Sequence, residues 1–96
     1  MRLLIIICEA SVDPRIIEIL TRSGAPGYTR FTGATGSGKN GIRDGTPIWP
    51  GLNSVILAGM PETLVPQVLK QLEALSAERS GRLALKVFSL PAEELS

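Results

Sequence analysis

The sequence predicts an α+β fold of the ferredoxin-like kind, a β-α-β-β-α-β order that forms an antiparallel sheet with two helices on one face. Three observations carry that expectation. Leu3 to Cys8 is an isoleucine-rich apolar run of strand length. Two segments, after Asp13 and after Pro61, place apolar residues at the helical period. Three further strand-like segments, Tyr28–Thr32, Asn53–Ala58 and Leu83–Leu90, follow in the order that this topology requires.

Each element has its own signals. The run Leu3–Cys8 has no polar alternation, so it is expected as a central strand covered on both faces. Asp13-Pro14 is expected to open the first helix, with Asp13 as the N-cap and Pro14 at the first helical position. Ile16, Ile17, Ile19 and Leu20 give it an apolar face, and Glu18 and Arg22 form an i,i+4 pair. Gly24 ends it, since glycine tolerates the left-handed conformation. Pro26-Gly27 is a turn, and Tyr28–Thr32 is rich in aromatic and β-branched residues.

From Gly33 to Gly51 the chain is broken by glycines and by Pro47 and Pro50, and a long loop without regular structure is expected. Pro61 and Glu62 open the second helix, whose stripe is Leu64, Val65, Val68, Leu69, Leu72 and Leu75. Pro66 falls in its first turn, where a missing N–H costs least. Ser80-Gly81 ends the helix, and Pro91 closes the last strand before a short acidic tail.

Composition narrows the function classes. The 96 residues suit one small domain, and with 44% hydrophobic residues they can pack a core. Ten basic and nine acidic residues leave a net charge of +1, which argues against binding nucleic acid. There is no histidine, so catalysis by a histidine base is excluded, and a zinc site is not expected. Cys8 is the sole cysteine and reads as a buried thiol, with a redox or metal role as the alternative. The apolar N-terminus is short and runs into Glu9, so neither a leader nor membrane insertion is expected, and the cytoplasm is the expected compartment. No base and nucleophile pair up, so no catalytic residue is assigned.

Gly33 to Lys39 nearly spells a phosphate-binding P-loop, but Asn40 stands where a Ser or Thr should hold magnesium. The residues that follow cannot start the helix such a loop needs. Two readings remain. The glycines can simply make a flexible hairpin loop. Alternatively, their backbone N–H groups converge on an anion as a nest, with Lys39 and Arg43 adding charge beside a single acid, Asp44. Trp49 either anchors the loop to protein or serves recognition.

Three local signatures resemble the PII signal-transduction superfamily. Gly24-Ala25-Pro26-Gly27-Tyr28-Thr29 is similar to that family's approach to its second strand. Gly36-Ser37-Gly38-Lys39 resembles the base of its T-loop, and Lys86-Val87-Phe88 resembles the start of its last strand. The resemblance spans nearly the whole chain, taken as one domain over 1–96 with its glycine-rich loop at about 33–52.

The resemblance implies a homotrimeric, non-enzymatic regulatory protein. It would bind a small anionic effector, such as ATP, ADP, AMP or bicarbonate, in clefts between subunits. It would regulate a partner, a transporter or an enzyme, through the T-loop. Carried over, Thr29, Gly36, Ser37, Gly38, Lys39, Arg82 and Lys86 would contact the effector, and Arg43, Asp44 and Trp49 would meet the partner. The chain departs from the family before the last strand, where Ser80-Gly81-Arg82 replaces a longer phosphate-wrapping loop, and its T-loop holds no tyrosine. A trimer like the CutA metal-tolerance proteins, or a structural trimer without ligand, is the alternative. The missing histidines argue against the former.

Overall fold

The structure, a computed structural model, describes residues 1–38, 41–43, 52–80 and 83–96. Its strands are β1 (Arg2–Glu9), β2 (Thr29–Ala34), β3 (Gly36–Gly38), β4 (Gly41–Arg43), β5 (Asn53–Met60) and β6 (Leu85–Pro91). Its helices are α1 (Asp13–Ser23) and α2 (Val65–Glu78), each preceded by a single 3-10 turn. Four strands form one sheet in the order β2-β5-β1-β6, with every neighbouring pair antiparallel. That is the expected ferredoxin-like arrangement, with the two βαβ units interleaved.

Alternation along the strands sets the core. On β1, Leu4, Ile6 and Cys8 are buried, and on β5, Ser54, Ile56, Ala58 and Met60 are buried. These side chains meet Val12, Ile16 and Leu20 beside and along α1, and Val68, Leu72 and Leu75 along α2. The helical residues are spaced by three or four, so each helix turns one stripe onto the sheet. Between the helices, Arg15 pairs with Glu78 at 3.2 Å, and Gln71 Nε2 donates to Ser23 Oγ at 3.0 Å.

Several local expectations hold. Gly24 caps α1 with φ +85°, and its N–H reaches the carbonyls of Leu20 and Thr21. Pro14 and Pro66 occupy the first turns of α1 and α2. Arg22 and Glu18 pair at 3.1 Å.

Three expectations are corrected. Asp13 is not an N-cap: it is the first residue of α1, Val12 holds the cap position, and no side chain caps the helix. The Asp13 carboxylate turns inward instead. The stretch after Gly33 is not wholly irregular, because β3 and β4 pair as a small ribbon with Ser37 opposite Ile42. Glycine lacks side-chain contacts but keeps both backbone groups, and the ladder uses those. β1 lies at the centre of the sheet, but among the described residues only one of its faces is fully covered. Leu3, Ile5 and Ile7 stay half-buried on the other.

Core position should decide the response to truncation. Leu72→Ala removes a side chain that is 1% exposed and is expected to cost about 2–5 kcal/mol in urea unfolding. Lys70→Ala, on the exposed side of the same helix, should stay within about 0.5 kcal/mol.

Candidate functional site

The sheet face opposite the helices is apolar. Residues paired across antiparallel strands share a face, so the registers Leu3↔Leu90, Ile5↔Phe88 and Ile7↔Lys86 extend it from β1 onto β6. Ile5↔Leu57 and Ile7↔Val55 carry it onto β5, and Thr29↔Leu57 and Phe31↔Val55 onto β2. Phe31 and Phe88 are 54% and 52% exposed, large values for aromatic side chains on a sheet.

The candidate effector residues flank this face. Thr29 lies on β2, one edge of the sheet, and Lys86 on β6, the other edge. Both are exposed. Three strand spacings, about 14 Å, separate the two strands: the row from Thr29 runs through Leu57 and Ile5 to Phe88, two residues along β6 from Lys86. A single copy therefore does not bring them together.

Gly36, Ser37 and Gly38 form β3, just beyond the end of β2. A Cβ at Gly36 would lie 3.3 Å from Asn53 Nδ2, a tight contact with the end of that side chain. Arg43 ends β4, opposite Gly36. Lys39, Asp44, Trp49 and Arg82 lie outside the described residues.

The strand ends near the ribbon are tied to one another. Glu9 donates its N–H to the Ala84 carbonyl at 3.2 Å, and its Oε1 accepts the Ala84 N–H at 3.1 Å. The Ala10 N–H reaches the Leu52 carbonyl at 2.9 Å. These bonds fix where the chain leaves the sheet on both sides of β1.

One polar cluster escaped the sequence. Asp13 is buried, and its Oδ2 accepts a hydrogen bond from Ser54 Oγ at 2.5 Å. Its Oδ1 pairs with Arg30 Nη1 at 3.3 Å. The two partners stand 17 and 41 positions from Asp13 along the chain, so no local pattern announces them.

Cys8 pairs in register with Ser54 and points to the helix side, away from the open face. Burial, then the nearby Asp13 and Glu9 charges, push its thiol up to about 12, against a partial pull from the Ser54 backbone. Among the described residues, no group of three or more His, Cys, Asp or Glu gathers in a way that could hold a metal. No helix among them is long and apolar enough to cross a membrane.

The chain matches the family model described as nitrogen regulatory protein P-II over residues 1–96. Among solved structures it is similar to CPII, a nitrogen regulatory PII-like protein from Thiomonas intermedia K12, bound to ADP and bicarbonate. That pair is 26% identical with TM-score 0.76, covering 93% of this chain and 82% of that one. A second CPII structure, bound to ADP, AMP and bicarbonate, is 25% identical with TM-score 0.74, covering 92% and 86%. A PII-like signalling protein from Thermus thermophilus is 28% identical with TM-score 0.69, covering 93% and 83%. No curated protein matches the chain.

Cys8 should behave as an inert core thiol. At pH 8 the folded protein is expected to resist thiol-modifying reagents for hours, and to react within minutes in denaturant. Because its folded pKa of about 12 lies above the ordinary thiol value of 9.0, the neutral thiol's contribution to stability is intact below about pH 9. It is lost as pH rises from there through the folded value. Reaction at equal rates in native buffer and denaturant would contradict the burial.

Proposed function

This chain belongs to the nitrogen regulatory P-II family, and we propose that it is a non-enzymatic cytoplasmic regulator that binds a small anionic effector between copies of itself. The observation that carries this reading is the placement of Thr29 and Lys86 at opposite edges of one apolar sheet face. When copies pack through that face, the β2 edge of one meets the β6 edge of the next. Thr29 and the Gly36–Gly38 ribbon of one copy then lie beside Lys86 of another. A closed ring of three copies gives each such site the same composition.

An adenine nucleotide fits this chemistry. Backbone N–H groups of the glycine-rich ribbon can donate to phosphate oxygens, and a lysine adds the counter-charge. Lys39 and Arg82 are assigned the same role. CPII carries ADP, AMP and bicarbonate, so these are the effectors to test first.

Signalling follows as a population shift. A glycine-rich loop has many conformers, and an effector that binds one of them better raises its share. Arg43, Asp44 and Trp49 are proposed to present the selected conformer to the regulated partner.

Two measurements decide this. Ile5→Asp places a charge on the open face and is expected to convert a trimer to a monomer by sedimentation, with the circular dichroism of the folded chain kept. A wild-type chain that sediments as a monomer ends the inter-subunit reading. Calorimetry of the wild type with ADP, AMP, ATP and bicarbonate should show binding of at least one. Lys86→Ala should weaken a phosphate ligand about tenfold, in line with the loss of one charged hydrogen bond. An unchanged affinity removes Lys86 from the site.

A further inference from the structure

Neither edge strand of the sheet has a fully buried residue, but β6 packs Leu85 and Val87 against the core, whereas no β2 residue does so. From Thr29 to Gly33 none of its residues is buried, and Ala34 is only half-buried. β1 and β5 bury every second residue. Three register pairs hold β2 to β5 before the ladder slips: Thr29↔Leu57, Arg30↔Ile56 and Phe31↔Val55. The slip is a bulge between Phe31 and Ala34 that includes Gly33 at φ +71°.

On the helix-bearing side, Arg30 supplies β2's side-chain hydrogen bond to the body, among the described residues. Its partner Asp13 has a side chain 8% exposed, while the Arg30 side chain is 41% exposed. The second Asp13 oxygen takes the hydroxyl of Ser54, which is fully buried on β5, the very strand that β2 pairs with. One carboxylate thus joins the start of α1, the edge strand and its neighbour. A buried carboxylate depends on its partners, because removing one leaves a charge in a low-dielectric place without compensation.

We propose that Asp13, Arg30 and Ser54 form a latch that holds edge strand β2 in register. The latch positions Thr29 on the open face and sets where the Gly36–Gly38 ribbon begins. Asp13 and Arg30 are positioning residues: both act on the helix side of the sheet, away from the open face. Their consequence for effector binding rests on the function proposed above. Their hold on β2 does not.

Hydrogen exchange on the full chain tests the latch. Arg30→Gln and Asp13→Asn are each expected to speed exchange over residues 28–34 roughly tenfold, while 2–8 and 65–78 exchange as in the wild type. Arg30→Lys keeps a cation in place and should restore most of the protection. Both single changes break the same Asp13–Arg30 pair, so the double variant should exchange no faster than the faster single. Acceleration spread evenly over all segments, or none over 28–34, overturns the latch. If Asp13→Asn does not fold, the two Arg30 variants, altered at a partly exposed side chain, carry the test.

Titration with ADP then separates the two claims. Binding by the wild type that weakens several-fold in Arg30→Gln and recovers in Arg30→Lys supports positioning. Equal ADP affinity in the wild type and Arg30→Gln overturns positioning. A wild type that binds no ADP counts against the effector reading, and the exchange data alone decide the latch.

Discussion

A strand that is apolar on both faces must be covered twice, and this constraint organises the molecule. β1 runs through the middle of the sheet, with β5 on one side and β6 on the other. Leu4, Ile6 and Cys8 are covered by the two helices, which have no second layer to offer. Leu3, Ile5 and Ile7 therefore face outward among Val55, Leu57, Phe31, Phe88 and Leu90. Burying those side chains is favourable by about 25 cal/mol per Å² of apolar surface. A chain of 96 residues buries a smaller share of its surface than a large domain does, and copies packed through this face would add a layer.

The candidate effector residues are spread across this face within one copy. Thr29 and Lys86 sit at the two edges of the face that needs covering. In the proposed assembly, packing between copies and formation of the ligand site are one event. The ribbon β3–β4 rises directly from the edge strand. The helix side of that strand is held by an ion pair rather than by core packing. With four register pairs against seven for β6, and no residue packed against the core, β2 has the fewest ties of the strands in its sheet.

Much of the fold was legible from local signals. The αL glycine at Gly24, the prolines in the first helical turns and the 3.6-residue stripes depend only on neighbours within a turn or two, so short-range chemistry fixes them. The resemblance carried by Gly24–Thr29, Gly36–Lys39 and Lys86–Phe88 agrees with the family to which the chain belongs. Asp13 was misread because Asp before Pro at a helix start has a local explanation, capping, that satisfies every short-range rule. Its actual partners are Arg30 and Ser54, brought together only when β2 and β5 pair. The β3–β4 ribbon was missed for a related reason. Glycine has low strand propensity, yet backbone pairing between facing segments needs no side chain.

The sequence by itself determined the order of the main-sheet strands and the two helices, the Gly24 cap and the apolar stripes, because those follow from residue conformation and from spacing along the chain. It also determined that β1 would seek cover on both faces, since an unbroken run of isoleucine and leucine offers no polar side to water. Only the tertiary structure decided which face the helices take, that Asp13 turns inward to Arg30 and Ser54, and that Thr29 and Lys86 end at opposite edges. Strand order and register are long-range quantities. They are set by how the whole apolar surface is best buried, and no window of sequence contains that information.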